Sequence, residues 1–399
     1  MELSFFYIAD GRLYEYAGNS SRELVSGVLE SYLSKVRSQA QRNEWKHSGD
    51  GAKFRDAYDP GADAESRVAA VTSRVICAMR HGSDLIYSLA IDRVSGIYRR
   101  SPDSPTEGIV LSSGDASYLD FDIYNGSIAL SSAFAGESHI AVMPLGSTAC
   151  RTVTEGRTID SAPVWSRHEP GRLYFCCAGL PLQTEEAPKP ADYTEMVTAM
   201  FTSAQSAPAR GPQSICLLDT VRGSLDELRA NDAFDFLRPQ SLPDGSLYYI
   251  KRPYSTDTGA SKLGCLADLF LLPVRLGRAL FGFLNVFSAK YSGKTLSKTY
   301  GAKHRDEEKI FIDGNLINAE AELRANRDHG DKNPGIIPRS WELRRRSPDG
   351  TDTLIRRGAA AYRVMDDGSI LVSNGSAILR LTDAGEEKIA AVPKVTFIR

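Results

Sequence analysis

Residues Asp160-Ser-Ala-Pro-Val-Trp165-Ser-Arg-His-Glu-Pro170-Gly171-Arg-Leu-Tyr-Phe175 place two apolar runs on either side of Pro170-Gly171. Proline presets φ for a turn and glycine accepts positive φ, so the stretch reads as strand, tight turn, strand. The same unit recurs at His81-Gly82, Asn125-Gly126, Asp244-Gly245 and Asp367-Gly368. Asn-Gly and Asp-Gly are strong hairpin signals, because both residues tolerate positive φ. Each turn precedes a similar apolar run: Leu85-Ile-Tyr87, Ile128-Ala-Leu130, Leu173-Tyr-Phe175, Leu247-Tyr-Tyr249 and Ile370-Leu-Val372. Gly82 to Gly126 is 44 residues and Gly126 to Gly171 is 45, the length of one four-stranded unit. The next intervals, 74 to Gly245 and 123 to Gly368, are one unit plus insertions of roughly 30 and 80 residues.

Asp160-Ser-Ala-Pro163-Val-Trp165-Ser166, followed by Gly171-Arg-Leu-Tyr-Phe175, resembles the PD40 repeat of the TolB/WD40-like propeller family, a pattern shared with prolyl oligopeptidase propellers. A looser copy stands at Phe236-Leu-Arg-Pro239-Gln-Ser241-Leu-Pro243-Asp244-Gly245. The resemblance implies an all-β fold, a single six-bladed propeller over residues 1–399 with helical insertions. The two ends account for the sixth blade. Ser4–Ala17 resembles the second and third strands of the last unit, Ser369–Leu381, and lacks a first strand; Val395-Thr-Phe-Ile398 is a spare one. Pairing them closes the ring and protects two sheet edges. A two-domain α/β reading leaves the matching turns unexplained.

A formal net charge of −2 removes any global pull toward nucleic acid or a membrane, so electrostatic preference must be local. The six cysteines form no C-x-x-C pair, which argues against a zinc or redox motif, and most sit in apolar runs as reduced core thiols. Envelope members of the resembling family carry a signal peptide; Met1–Asp10 has no basic or long apolar leader. The expectation is a cytoplasmic protein, with peripheral contact at a membrane as the variant of it.

Three segments break the strand pattern. In 22–64, Val25, Val28, Leu29, Tyr32 and Val36 recur at helical spacing and predict a helix over Arg22–Arg42. Trp45 and Phe54 flank a Gly-rich loop without phosphate-loop spacing, read as pinned to a blade. In 181–213, Pro-rich flanks surround a short helix started by Asp192 and carrying Met196, Val197, Met200 and Phe201. In 255–338, Cys265–Phe287 is densely apolar, yet Asp268, Arg275 and Arg278 make it a poor membrane span. Its apolar side carries Leu269, Leu272, Leu276, Phe283 and Phe287. From Leu269 to Arg305 come seven basic residues and no acidic one: Arg275, Arg278, Lys290, Lys294, Lys298, Lys303 and Arg305. A basic amphipathic stretch on an acidic chain suits an acidic partner or an anionic bilayer; the alternative is a helix folded back onto the propeller.

No catalytic, cofactor or metal set emerges. The chain has no G-x-S-x-G and no paired histidine motif. Asp328-His329-Gly-Asp331 is the one local cluster of ligand types, and Asp120 and Asp122 share a strand face that could look into a channel. The expected function is a non-catalytic protein-interaction scaffold, docking through a propeller face and through Leu269, Leu272, Arg275, Leu276, Arg278, Phe283, Phe287, Lys290, Lys294 and Lys298. The resemblance implies an AAA+ ATPase or a von Willebrand factor A protein as partner. The competing expectation is a hydrolase or lyase at the channel mouth. The absent nucleophile elbow predicts that a fluorophosphonate probe labels no serine of the purified chain.

Overall fold

The computed structural model describes residues 3–42, 68–104, 106–147, 149–180, 210–254, 309–312 and 315–399. The fold is an all-β propeller. Its first sheet holds β1 (Phe5–Ala9), β2 (Arg12–Ala17) and β3 (Ser20–Glu23), and its second β4 (Ser73–His81), β5 (Asp84–Ile91), β6 (Val94–Arg100) and β7 (Gly108–Ser113). Next come β8 (Ser117–Tyr124), β9 (Ser127–Phe134), β10 (Glu137–Pro144) and β11 (Arg151–Thr152), continuous with β12 (Thr158–Trp165), β13 (Arg172–Gly179), β14 (Ser214–Asp219) and β15 (Ser224–Arg229). A further sheet is built from β16 (Phe234–Ser241) and β17 (Leu247–Pro253), then β20 (Glu342–Arg346) and β21 (Asp352–Arg357). Between its halves lie the hairpin β18 (Lys309–Ile312) and β19 (Asn315–Asn318), and the helix α2 (Ala319–Asp328). The last sheet is β22 (Ala361–Val364), β23 (Ile370–Ser373), β24 (Ile378–Thr382) and β25 (Gly385–Ala390), and β26 (Val395–Ile398) returns to pair antiparallel with β1.

Six separate four-stranded sheets were the expectation. The described strands instead form four such sheets, one eight-stranded sheet and the β18–β19 ribbon. The cause of the fusion is local. Ser138 on β10 bridges in parallel to Ile159 on β12. The Ser131 and Ser138 hydroxyls both donate to the Asp160 carbonyl, at 2.6 and 2.8 Å. The family-like Asp160 thus stitches two four-stranded halves together.

Buried apolar clusters sit between neighbouring sheets, where most of the hydrophobic stabilisation resides. Phe6, Ile8 and Leu13 pack on Val75, Leu85 and Tyr87. Ala129 and Ile140 pack on Trp165, Leu173 and Phe175, joining the halves of the large sheet. Phe5 and Tyr7 pack on Leu371, Ile378, Val395 and Ile398, joining the last sheet to the first.

The hairpin turns share a polar clamp. Asn125 and Gly126 have φ of 47° and 72°, the pair of positive values a two-residue hairpin turn requires. In Asp244-Gly-Ser246, Asp244 accepts from the Ser246 amide at 2.8 Å and from Arg345 on β20 at 3.1 Å. In Asp367-Gly-Ser369, Asp367 accepts from the Ser369 amide at 2.9 Å and from Arg380 on β24 at 2.6 Å. Arg99 on β6 reaches Asp84 at 2.6 Å in the corresponding place.

The helix α1 spans Gly27–Arg42. Ser26 and Glu107 take the amides of its first turn: Leu29 N donates to Ser26 Oγ and Val28 N to Glu107, at 3.3 and 3.0 Å. Val28, Leu29 and Tyr32 rest on the cluster beneath, whereas Val25 precedes the capped turn and is exposed, contrary to its place in the predicted apolar stripe. Among the described residues, no helix is long and apolar enough to cross a membrane.

Deleting residues 394–399 bares the edge of β1 and removes the buried Val395 and Ile398. The expected outcome is a melting temperature lower by several degrees in a thermal scan; an unchanged one would show that β26 contributes nothing to the fold.

Candidate functional site

Strands β4, β8, β12, β16, β22 and β26 contribute side chains to one channel. It contains a larger well of about 390 Å³ and a smaller one of about 320 Å³. Inner strands run from the first toward the second: Ser161 lines the first and Arg167 the second, as do Ala361 and Asp366.

Bulges aim residues into this channel. The register of β12 against β13 slips between Ser161 and Val164, and that of β16 against β17 slips between Leu237 and Gln240. At those slips Ala162 and Arg238 adopt φ of 49° and 54°, a conformation that costs a non-glycine residue and that recurs at functional positions.

The wall is strongly cationic. Arg210, Arg238, Arg252, Arg363 and Arg399 border the first well against Asp120. Arg80, Arg167, Arg363 and Arg399 border the second against Asp366. Behind it are two buried carboxylates. Asp235 accepts from Arg252 at 3.1 Å, Arg210 at 3.3 Å and the Gln213 amide at 2.8 Å, while Arg252 stacks on Trp341 with its carbon 4.7 Å from the ring centre. Asp122 is fully buried. Its two oxygens both accept from Arg167 Nη2, at 2.8 and 2.9 Å, and it accepts further from Arg399 and from the Trp165 amide at 2.9 Å.

Arg363 stands apart. Its side chain makes no hydrogen bond or ion pair with any described residue, though it borders both wells. Burial, followed by the nearby Arg399, lowers its guanidinium from the ordinary arginine range to about 9. Burial has the opposite effect on the thiols: Cys77 and Cys176 at the channel are each pushed up to about 12, and so stay protonated at neutral pH. The Tyr362 hydroxyl, also raised well above its usual value by burial, donates to the Arg238 carbonyl at 2.6 Å.

Sequence reading put Asp120 and Asp122 on one strand face that could look into a channel, and Asp120 does line the first well. The structure gives Asp122 to Arg167 and Arg399 instead, because the bulge between Tyr118 and Phe121 breaks the strand alternation that would align the two. In the Asp328–Asp331 cluster, His329 caps α2 and Asp331 pairs with Arg339. The predicted docking residues Leu269 to Lys298, the Asp192 helix and the Trp45 loop lie outside the described residues. The channel arginines went unread, although Arg363 in Ala361-Tyr-Arg-Val364 offered a signal: a charge inside an otherwise apolar inner strand.

Four-stranded units, each beginning at the channel, with a PD40-like motif on β12, decide the kind of propeller. The fold is TolB-like. No protein-family model and no curated protein sequence matches the chain. Among solved structures, TolB from Acinetobacter baumannii aligns at 8% identity and a TM-score of 0.47, covering 99% of this chain and 65% of that one. The nidogen/laminin complex aligns at 7% identity and 0.44, covering 99% and 97%. A prolyl endopeptidase aligns at 11% identity and 0.39, covering 92% of this chain, which spans 42% of that one. Such distant likenesses carry no functional inference.

Asp122→Ala leaves Arg167 and Arg399 without their buried carboxylate and is expected to cost about 3–5 kcal/mol, measured as a lowered urea midpoint. Asp367→Ala, at a half-exposed turn, should leave the midpoint nearly unchanged. Equal effects would mean that the channel cluster is no more important than a surface pair. Iodoacetamide at mildly alkaline pH should leave Cys77 and Cys176 unmodified in the native protein and modify both after denaturation, as read by peptide mass spectrometry.

Proposed function

We propose that the chain is a non-catalytic protein-interaction scaffold that docks a partner protein on the rim of the first well. One observation carries this reading. Neighbouring strands of a unit alternate in direction, so second-to-third-strand connections, and connections to the next unit, lie at the first well. The three longest connections, 24–72, 180–213 and 254–341, are all of these two kinds. The described roots of the last two meet there: Arg210 borders the well, and the Tyr254 hydroxyl donates to the Arg210 carbonyl. The opposite rim carries short turns. Propellers commonly bind through one elaborated rim set by loops on a rigid scaffold.

The same reading counts the eight-stranded sheet as two blades, giving six around the channel, with β26 closing the ring. It is supported by the cluster between the two halves and by the six inner strands that share the channel wall. The basic stretch Leu269–Arg305 is the proposed contact surface for an acidic partner, with an AAA+ ATPase or a von Willebrand factor A protein as the partner class that the resemblance implies. Thiolate chemistry in the channel is disfavoured, since Cys77 and Cys176 are held as neutral thiols.

Phe134 and Val221 allow a test. Both are exposed, Phe134 at the end of β9 on the first-well rim and Val221 in a turn on the opposite rim. A photo-crosslinking residue at Phe134 should capture a partner in cells, and the same residue at Val221 should not. Equal capture at both positions, or capture only at Val221, would overturn the assignment of the rim. Replacing residues 260–305 by a short Gly/Ser linker should leave the melting transition in place and abolish the Phe134 adduct.

A further inference from the structure

We propose that the waist of the channel binds a small phosphate-type dianion, held by Arg363 with Arg167 and Arg399. The waist is where the two wells meet, since Arg363 and Arg399 border both. Two guanidinium groups there hold one buried carboxylate, Asp122, and a third, that of Arg363, lies beside them. Arg167 and Arg399 spend part of their donor sets on Asp122, and Arg363 spends none. Arg167 Nη1 is also buried without a hydrogen-bond partner. These three positive charges face the buried Asp122 and, in the second well, Asp366, which leaves a net positive charge at a largely enclosed place, and a folded protein tolerates that poorly unless something neutralises it.

A dianion with several acceptor oxygens matches both the excess charge and the unused donors, because guanidinium groups bind such oxygens in pairs. The other charged groups at the wells are Arg80 from β4, paired with Glu15, and Asp366 past β22 in the second, and Asp120, Arg238, Arg210 and Arg252 in the first, the last two paired with Asp235. The larger well continues from the waist and is walled by Phe121, Tyr362, Phe397 and Ile398, so an organic group attached to the phosphate has an apolar place to lie. Burial first, and then the neighbouring Arg399, lower the proton affinity of Arg363. This site does not depend on the docking rim, and its test uses no partner.

The experiment is calorimetric titration of the full chain with inorganic phosphate and with phenyl phosphate, against acetate as a monoanion control. Saturable one-site binding of phosphate, and none of acetate, is expected. Arg363→Gln should weaken phosphate by at least about tenfold while raising the melting temperature in phosphate-free buffer, because it removes a charge without a partner. Arg363→Lys should recover part of the affinity. Wild-type affinity should fall as the pH rises through about 9, and that fall should vanish in Arg363→Gln. Tighter binding of phenyl phosphate identifies a phosphate monoester with its body in the first well; equal affinities identify inorganic phosphate. Absence of saturable phosphate binding, or an Arg363→Gln variant that is folded and binds like the parent, overturns the proposal.

Discussion

The propeller turns on the carboxylate of Asp122. It sits on β8 with no exposure, and its partners come from the ends of two other inner strands: Arg167 just beyond β12 and Arg399 just beyond β26. A backbone amide of β12 completes its coordination. The cluster therefore ties together three units whose contributing residues are 45 and 277 positions apart. Such a buried ion cluster need not add net stability, since desolvation offsets most of the attraction. What it supplies is uniqueness. A slipped inner strand would leave a charge buried and unmatched, so alternative packings around the channel are penalised far more than the native one is favoured. Apolar contacts between sheets are tolerant of small slips by comparison.

Local chemistry does the rest of the specification. Each Asp-Gly-Ser turn is held by its own amide and by an arginine from the third strand of the same sheet, Arg345 in one and Arg380 in another. These clamps set the hairpin register without reference to any other unit. The bulges at Ala162 and Arg238 then bend the inner strands where they face the channel. Register slips also occur in outer pairs, such as β14 with β15 and β20 with β21; at Ala162 and Arg238 the slip coincides with a positive φ beside the channel.

This division explains what could be read from the chain and what could not. The turns, the strand runs after them and the spare strand Val395–Ile398 were legible because each depends on residues close in sequence or on a plain count of strands. Fusion of the large sheet was not. It follows from two serine hydroxyls, Ser131 and Ser138, meeting the carbonyl of Asp160, and serines carry no periodic signal. The arginine channel was hidden for a different reason: Arg167, Arg363 and Arg399 belong to separate units and meet only in the assembled fold. Asp122 was noticed but set on the same face as Asp120, because strand alternation was assumed to run unbroken through a bulge. The basic stretch read as a docking surface lies outside the described residues, so its place rests on the sequence and on where its ends leave β17 and enter β18.

The two candidate regions differ in the physics they use, and that difference argues for separate roles. Connections on the first-well rim are long, and loop length costs little stability, so this rim is free to vary in shape and composition. The waist has no such freedom. Its charges are supplied by inner strands whose positions are fixed by the Asp122 cluster, and moving one guanidinium would expose that carboxylate to a missing partner. A variable rim suits recognition of a protein surface, and a rigid charged waist suits a small ligand of fixed geometry. Arg210 connects them: it borders the first well, pairs with the buried Asp235, and through its carbonyl holds Tyr254, where the third long segment departs. A ligand that altered the electrostatics of the channel would thus act on a residue at the root of the elaborated rim, which gives the two regions a physical route by which to influence each other.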